Sequence, residues 1–208
     1  MDYKIIVDSC GELTYKMKES GVYVSAPLSM QVDGDTVVDD DTFDQKDFLR
    51  RVAASPECPK SSCPSPEKYM ELYSGNEERV YVVTLSSELS GSYNSARLAK
   101  KLWLEEHGED EKQIYVFNSR SASVGETLIA CKIESCEALG MSFEETVSTV
   151  EKYIDGQNTY FVLENLDTLR KNGRLTGIKS FVASALNIKP VMGSTPEGTI
   201  CQLGQARG

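Results

Sequence analysis

Three short apolar runs set the terms for this chain of 208 residues. Lys4-Ile-Ile-Val7, Val80-Tyr-Val-Val83 and Ile114-Tyr-Val-Phe117 each stop at a polar turn. The turns are Asp8-Ser9-Cys10-Gly11, the hydroxyl-rich stretch from Thr84 and Asn118-Ser119-Arg120-Ser121. A segment with helical spacing follows each. Strands alternating with helices at these lengths predict an α/β fold with a parallel sheet.

The connecting segments carry their own punctuation. A helix is expected near Leu13. Residues 22–32 read as extended, and Asp33-Gly34 turns into Thr36-Val-Val38. Asp44 can cap a helix with Asp47 at its third position, and Phe48, Leu49 and Val52 form its expected buried stripe. Residues 56–66 hold four prolines, which predicts a rigid, non-helical loop. Ser65-Pro66 closes it as N-cap and first helical residue, with Tyr69, Met70 and Tyr73 turned inward. A helix through Leu98, Leu102 and Trp103 stops at Gly108, and a longer one reaches Gly140. Ser142 and Glu145 form a capping box ahead of the stripe Phe143, Val147, Val150 and Ile154.

The pattern changes after Asp155-Gly156. Thr159-Tyr-Phe-Val162 leads into a short helix bearing Leu163, Leu166 and Leu169, ended by Asn172-Gly173. Residues 177–187 have helical spacing, and two extended runs flank Pro196-Glu197-Gly198 as a β-hairpin. The expected organisation is a parallel α/β domain over 1–156 and the start of a second, α+β domain over 157–208. The second unit reads as C-terminally incomplete, because so short a segment has too few residues for a core of its own.

Composition narrows the function classes. A formal charge of −10 and a pI near 4.7 argue against nucleic acid or an anionic membrane surface as the main partner. No apolar run approaches the length of a membrane span, and the expected location is cytoplasmic. The six cysteines contain no CxxC spacing and read as reduced thiols. His107 is the sole histidine, which leaves a Ser-His-Asp triad or a His-based metal site without a foundation. The acidic run Asp39-Asp40-Asp41 lacks EF-hand spacing, and no metal site is expected. A Gly-rich P-loop with its Lys is also missing, which disfavours a nucleotide site.

Thr84 to Ala96 is the densest candidate site. It reads Thr-Leu-Ser-Ser-Glu-Leu-Ser-Gly-Ser-Tyr-Asn-Ser-Ala, a strand emptying into a turn that opens a helix. Free N–H groups and the positive end of the helix dipole suit an anion there. Ser86, Ser87, Ser90 and Ser92 lie in the turn without Lys, Arg or His, which favours a carboxylate or a single phosphate. Plain N-capping explains such serines equally well. Ser61 and Ser62, in the proline-stiffened loop, are held in fixed directions, as a binding site requires. Asp8 and Ser9 suit a ligand or the cap of the helix near Leu13. A serine-dependent acyl hydrolase is the alternative, with Ser87, Ser90 or Ser92 as nucleophile. No Gly-x-Ser-x-Gly elbow is present, and His107 is the single base candidate.

Together these segments resemble the DegV family of bacterial fatty-acid-binding proteins. The resemblance rests on Ile6-Val7-Asp8-Ser9, Pro27-Leu28, Ser61-Ser62-Cys63-Pro64-Ser65-Pro66, Leu85 to Ala96, Asn118-Ser119 with Ala122-Ser123, Leu166 to Arg174, and Ile188-Lys189-Pro190. It covers essentially the whole chain, in order. It implies a long-chain fatty acid bound between two domains, with its carboxylate presented to a separate ATP-dependent fatty acid kinase. The product would be an acyl phosphate for phospholipid synthesis. The chain would then be a carrier subunit without catalytic residues and without a cofactor beyond its lipid. The family's carboxylate contacts fall on Ser61 and Ser90, with Ser62, Gly91, Ser92, Asp8, Ser9 and Ser119 in support and Arg174 as a kinase contact or an internal brace.

Three positions depart from the family pattern. Ser61 stands for Thr and loses a methyl that fixes the rotamer. Cys63 stands for Gln. Asn172 replaces the first of two glycines before Arg174, which suits Asn if a left-handed backbone is needed there.

Overall fold

Alternation along three adjacent strands builds the centre of the molecule. The computed structural model describes residues 2–108, 111–175 and 188–207. In chain order, β1 (Tyr3–Asp8), α1 (Tyr15–Glu19), β2 (Tyr23–Ala26), β3 (Ser29–Val32) and β4 (Asp35–Val38) come first. They are followed by α2 (Gln45–Ala54), β5 (Lys60–Ser62), α3 (Pro66–Tyr73), β6 (Arg79–Thr84), α4 (Ser92–His107) and β7 (Gln113–Asn118). The last elements are α5 (Val124–Ala138), α6 (Phe143–Asp155), β8 (Tyr160–Val162), α7 (Asp167–Lys171), β9 (Ile188–Ser194) and β10 (Ile200–Arg207).

β2, β1, β6 and β7 form a parallel sheet in that order. Side chains on successive residues point to opposite faces, and both faces are covered. Ile5, Val7, Tyr81, Val83 and Phe117 pack against Ile129 and Ile133 of α5 and Val150 and Ile154 of α6. Ile6, Val80, Val82, Ile114 and Val116 pack the other way, onto Tyr69 and Tyr73 of α3 and Ala96, Ala99 and Trp103 of α4. Burying each large aliphatic or aromatic side chain contributes about 1.5–3 kcal/mol. Two antiparallel sheets complete the fold, β4-β3-β5 and β10-β9-β8. Among the described residues, no helix is long and apolar enough to cross a membrane.

The helix signals hold at the caps. Asp44 accepts from the Asp47 N–H, Ser65 accepts from the Lys68 N–H, and both halves of the Ser142–Glu145 box are made. Other expectations need correction. The helix near Leu13 starts at Tyr15 and is capped by Thr14, so neither Asp8 nor Ser9 caps it. α2 buries none of its residues, and Leu49 is 57% exposed, because among the described residues the helix rests mainly on the short strand β3. α4 runs through Leu98, Leu102 and Trp103 to Gly108 as expected; its buried stripe is Ala96, Ala99 and Trp103, whose small members let the helix approach the sheet, with Leu98 and Leu102 exposed. The proline-rich passage contains β5, an edge strand paired to β3. The short helix α7 starts at Asp167, leaving Leu163 outside it. The helical pattern over residues 177–187 lies outside the described residues.

Candidate functional site

The order β2-β1-β6-β7 places a topological switch point between β1 and β6, where the chain leaves β1 for opposite sides of the sheet. Ligands in open α/β sheets collect at such points, outside the carboxyl ends of the strands. A cavity of about 850 Å³ opens there. Leu85 and Leu89 of the turn after β6, Val124 and Leu128 of α5, and Phe161 and Ile200 of the antiparallel sheet give it apolar walls. Ser61, Ser62, Ser90 and Arg174 bring polar groups to it.

Three segments converge at the polar part. Cys63, just past β5, lies against Gly91: a Cβ added to Gly91 would stand 3.2 Å from its Sγ. Asn172 donates to the Pro59 carbonyl at 3.1 Å, fastening the end of α7 to the segment that carries Ser61. Arg174 Nε donates to the Leu89 carbonyl at 3.3 Å, next to Ser90. Asn172 itself has φ −89°, and the left-handed residue is Gly173 at +73°. Asn172 is therefore there for its amide, not for its backbone.

The serines of the turn divide by what already occupies them. Ser86 donates to the Gly198 carbonyl at 2.8 Å, and Ser87 is paired to the Asn118 amide. Ser92 is buried; its hydroxyl donates to Asp8 Oδ2 at 2.6 Å and meets the Tyr69 hydroxyl at 2.7 Å. Its N–H is taken by Ser90 Oγ at 3.2 Å. Ser90 is half-buried and lines the cavity, and among the described residues its hydroxyl donates to no partner. Helix α4 starts on Gly91 without a side-chain cap, so the turn is not a plain N-cap. The N–H groups of Tyr93 and Asn94 lack a partner among the described residues, leaving the positive end of a 16-residue helix beside Ser90.

The remaining supporting residues stand behind the cavity wall. Asp8 is fully buried and accepts from the N–H groups of Cys10 and Leu85 as well as from Ser92. It thereby ties the turn after β1 to the turn after β6. Ser9 accepts from the Leu28 N–H, and Ser119 bridges both backbone groups of Ser121. None of Asp8, Ser9, Ser92 and Ser119 lines the cavity, so their support is to shape the turns, not to touch a ligand. Burial, with the Asp8 charge nearby, pushes the Cys10 thiol far up, which makes it a packing group and not a nucleophile.

His107 ends α4, stacked on Trp103 with ring centroids 4.3 Å apart. At 1.5 Å per residue the helix puts it about 22 Å from Ser92, out of reach of any serine of the turn. His107, the base considered for a hydrolase, is therefore not beside the serine turn. Two long-range placements escaped the sequence, although Arg174 itself is expected as a kinase contact or an internal brace. The placement of Arg174 on the turn and the seating of Gly198 on Ser86 join residues 85 and 112 positions apart, and no local pattern announces such pairs.

Residues 2–208 match the family model described as "Uncharacterised protein, DegV family". A DegV domain-containing protein of Streptococcus pneumoniae is 36% identical over 212 residues, spanning 100% of this chain and 74% of the relative. Among solved structures, a DegV family protein from Ruminococcus gnavus, refined with vaccenic acid, superposes with a TM-score of 0.96 at 64% identity. The match covers 100% of this chain and 73% of that one. The Streptococcus pneumoniae Fatty Acid Kinase (Fak) B3 protein loaded with linoleic acid superposes with a TM-score of 0.87 at 36% identity, covering 100% and 74%.

Proposed function

The chain belongs to the DegV family, and on that premise we propose that it binds a long-chain fatty acid in the cavity and presents the carboxylate to a fatty acid kinase. The observation that carries the reading is one apolar cavity of about 850 Å³ with Ser61 and Ser90 on its lining. That volume is near the upper end of the roughly 300–1,000 Å³ usual for small-molecule sites. The acyl chain supplies the affinity: about fifteen methylenes at roughly 0.8 kcal/mol each give on the order of 12 kcal/mol before ordering costs.

The head group is held by hydroxyls and by the N–H groups of the turn, with Ser62 and Gly91 adjacent. Arg174, braced between the Leu89 and Asn172 carbonyls, adds positive potential without a demonstrated ion pair. A carboxylate held by two hydroxyls stays reactive toward phosphoryl transfer, which suits a carrier that leaves the chemistry to an ATP-dependent partner. Residues 157–208 act in this reading as the start of a second domain closing over the first.

Extraction of the protein purified from bacteria, followed by mass spectrometry, should release fatty acid. Protein that carries none and binds none ends the proposal. Ser61→Ala with Ser90→Ala should weaken fatty-acid binding about tenfold or more per hydroxyl, since bonds to a charged group contribute about 1.5–3 kcal/mol each. Acyl-phosphate formation with the cognate kinase should fall with it.

A further inference from the structure

A carboxylic acid with nothing to bind stands behind the serine turn. Glu126, in the first turn of α5, is fully buried, and neither carboxyl oxygen has a hydrogen-bond partner among the described residues. The Ser123 N–H lies near it without meeting hydrogen-bond geometry. Its carboxyl lies beside that of Asp8, which is equally buried. Gly11 fits between the two segments: a Cβ there would come within 3.4 Å of both the Asp8 carbonyl and Glu126 Cβ.

Two buried carboxylates in contact cannot both be ionised without large electrostatic cost. A single shared proton removes the repulsion and gives Glu126 the partner it lacks. Asp8 already takes three donors, from Cys10, Leu85 and Ser92, so it is the acceptor of the pair and the proton belongs on Glu126.

We propose that Glu126 is a neutral acid donating its proton to Asp8, and that this pair is the positioning device that fixes the turn carrying Ser90 and makes head-group binding sensitive to pH. The functional half of this statement rests on the fatty-acid reading above; the protonation half does not. The route from proton to site is short. Asp8 holds the Leu85 N–H at 2.9 Å and the Ser92 hydroxyl at 2.6 Å, and Ser90 lies between those residues on the same turn.

The surroundings give the anion no relief. Facing the pair are Cys10 and Glu12 from the turn after β1 and Tyr69 from α3, with Asp39 beside Cys10. None of these is a cation. Burial and the Asp8 charge accordingly raise the Glu126 pKa well above the ordinary carboxyl range. A raised folded value means that the native state binds the extra proton. The stability it contributes is complete below the ordinary Glu range and is lost as pH rises from there through the folded value. Within that window the folding equilibrium constant drops by up to tenfold per pH unit.

The test uses Glu126→Gln, which donates to Asp8 with an N–H that never titrates. In wild type, the infrared C=O stretch of a protonated carboxyl should persist at pH 7 and vanish in E126Q. Stability of wild type should fall as pH rises, with E126Q flatter and at least as stable at neutral pH. Oleate affinity should weaken with rising pH in wild type and hold in E126Q. A wild type without the infrared band, or two variants with superimposable pH–stability curves, overturns the protonated pair. If band and curves behave as expected while oleate affinity is the same in both proteins at every pH, the positioning role is wrong. If oleate binds to neither protein, it is the fatty-acid reading that fails, while the infrared result stands.

Discussion

The parallel sheet and the sheet β10-β9-β8 are built to opposite standards. In β1 and β6 all but the first residue is buried, and helices cover both faces. In the antiparallel sheet Met192 is fully buried, whereas Tyr160, Val162 and Leu203 are at least half exposed. The first sheet supplies its own core. The second leans on the turns of the first through a handful of polar contacts: Ser86 to Gly198, Ser121 to Thr159, Arg120 to Pro196. Stability and function are therefore divided. The parallel sheet holds the turns at fixed positions, and the weaker layer forms a wall of the cavity. Regions with few buried apolar contacts open at lower cost than core strands.

Substitutions can break or sharpen that division. Phe117→Ala, which empties a fully buried site on the parallel sheet, should cost about 3–5 kcal/mol in urea denaturation and abolish binding along with the fold. Gly198→Ala should cost about 1–3 kcal/mol, because φ is +97° and the new Cβ would stand 2.8 Å from Arg120 Cα. Its damage should be local: ligand affinity and amide protection of β9 and β10 drop, while protection of β1 and β6 is retained. Equal loss in both sheets would mean that the two unfold as one unit. Arg170→Ala removes an exposed pair with Asp167 and should change stability by less than about 0.5 kcal/mol.

Much of the scaffold could be read from the chain because its signals are local. The capping box at Ser142, the Ser65-Pro66 start and the three apolar runs each declare themselves within a few residues. The polar end of the cavity was partly legible for the same reason, since Ser90 sits in a strand–turn–helix with a recognisable form. The residues alone do not say which serine is free; the family resemblance is what singles out Ser90. Ser87, Ser90 and Ser92 look alike in sequence, and only distant partners, Asn118 and Asp8, separate them. The Leu49 error has a related cause. A hydrophobic stripe predicts burial only if another element arrives to cover it, and none of the described elements does. Glu126 left no trace at all, because an acid in a first helical turn is ordinary until its neighbours are known.

The bond from Ser86 to Gly198 bridges 112 positions. Contacts of that separation carry a large loop-closure cost and form late. During synthesis the four parallel strands are all available once Asn118 has emerged, long before the hairpin tip exists. A nascent chain thus passes through an interval in which the serine turn can form but the cavity beside it lacks the wall that β8, β9 and β10 supply. A ribosome stalled ahead of residue 198 would display the serine turn without the contact that Gly198 makes to Ser86.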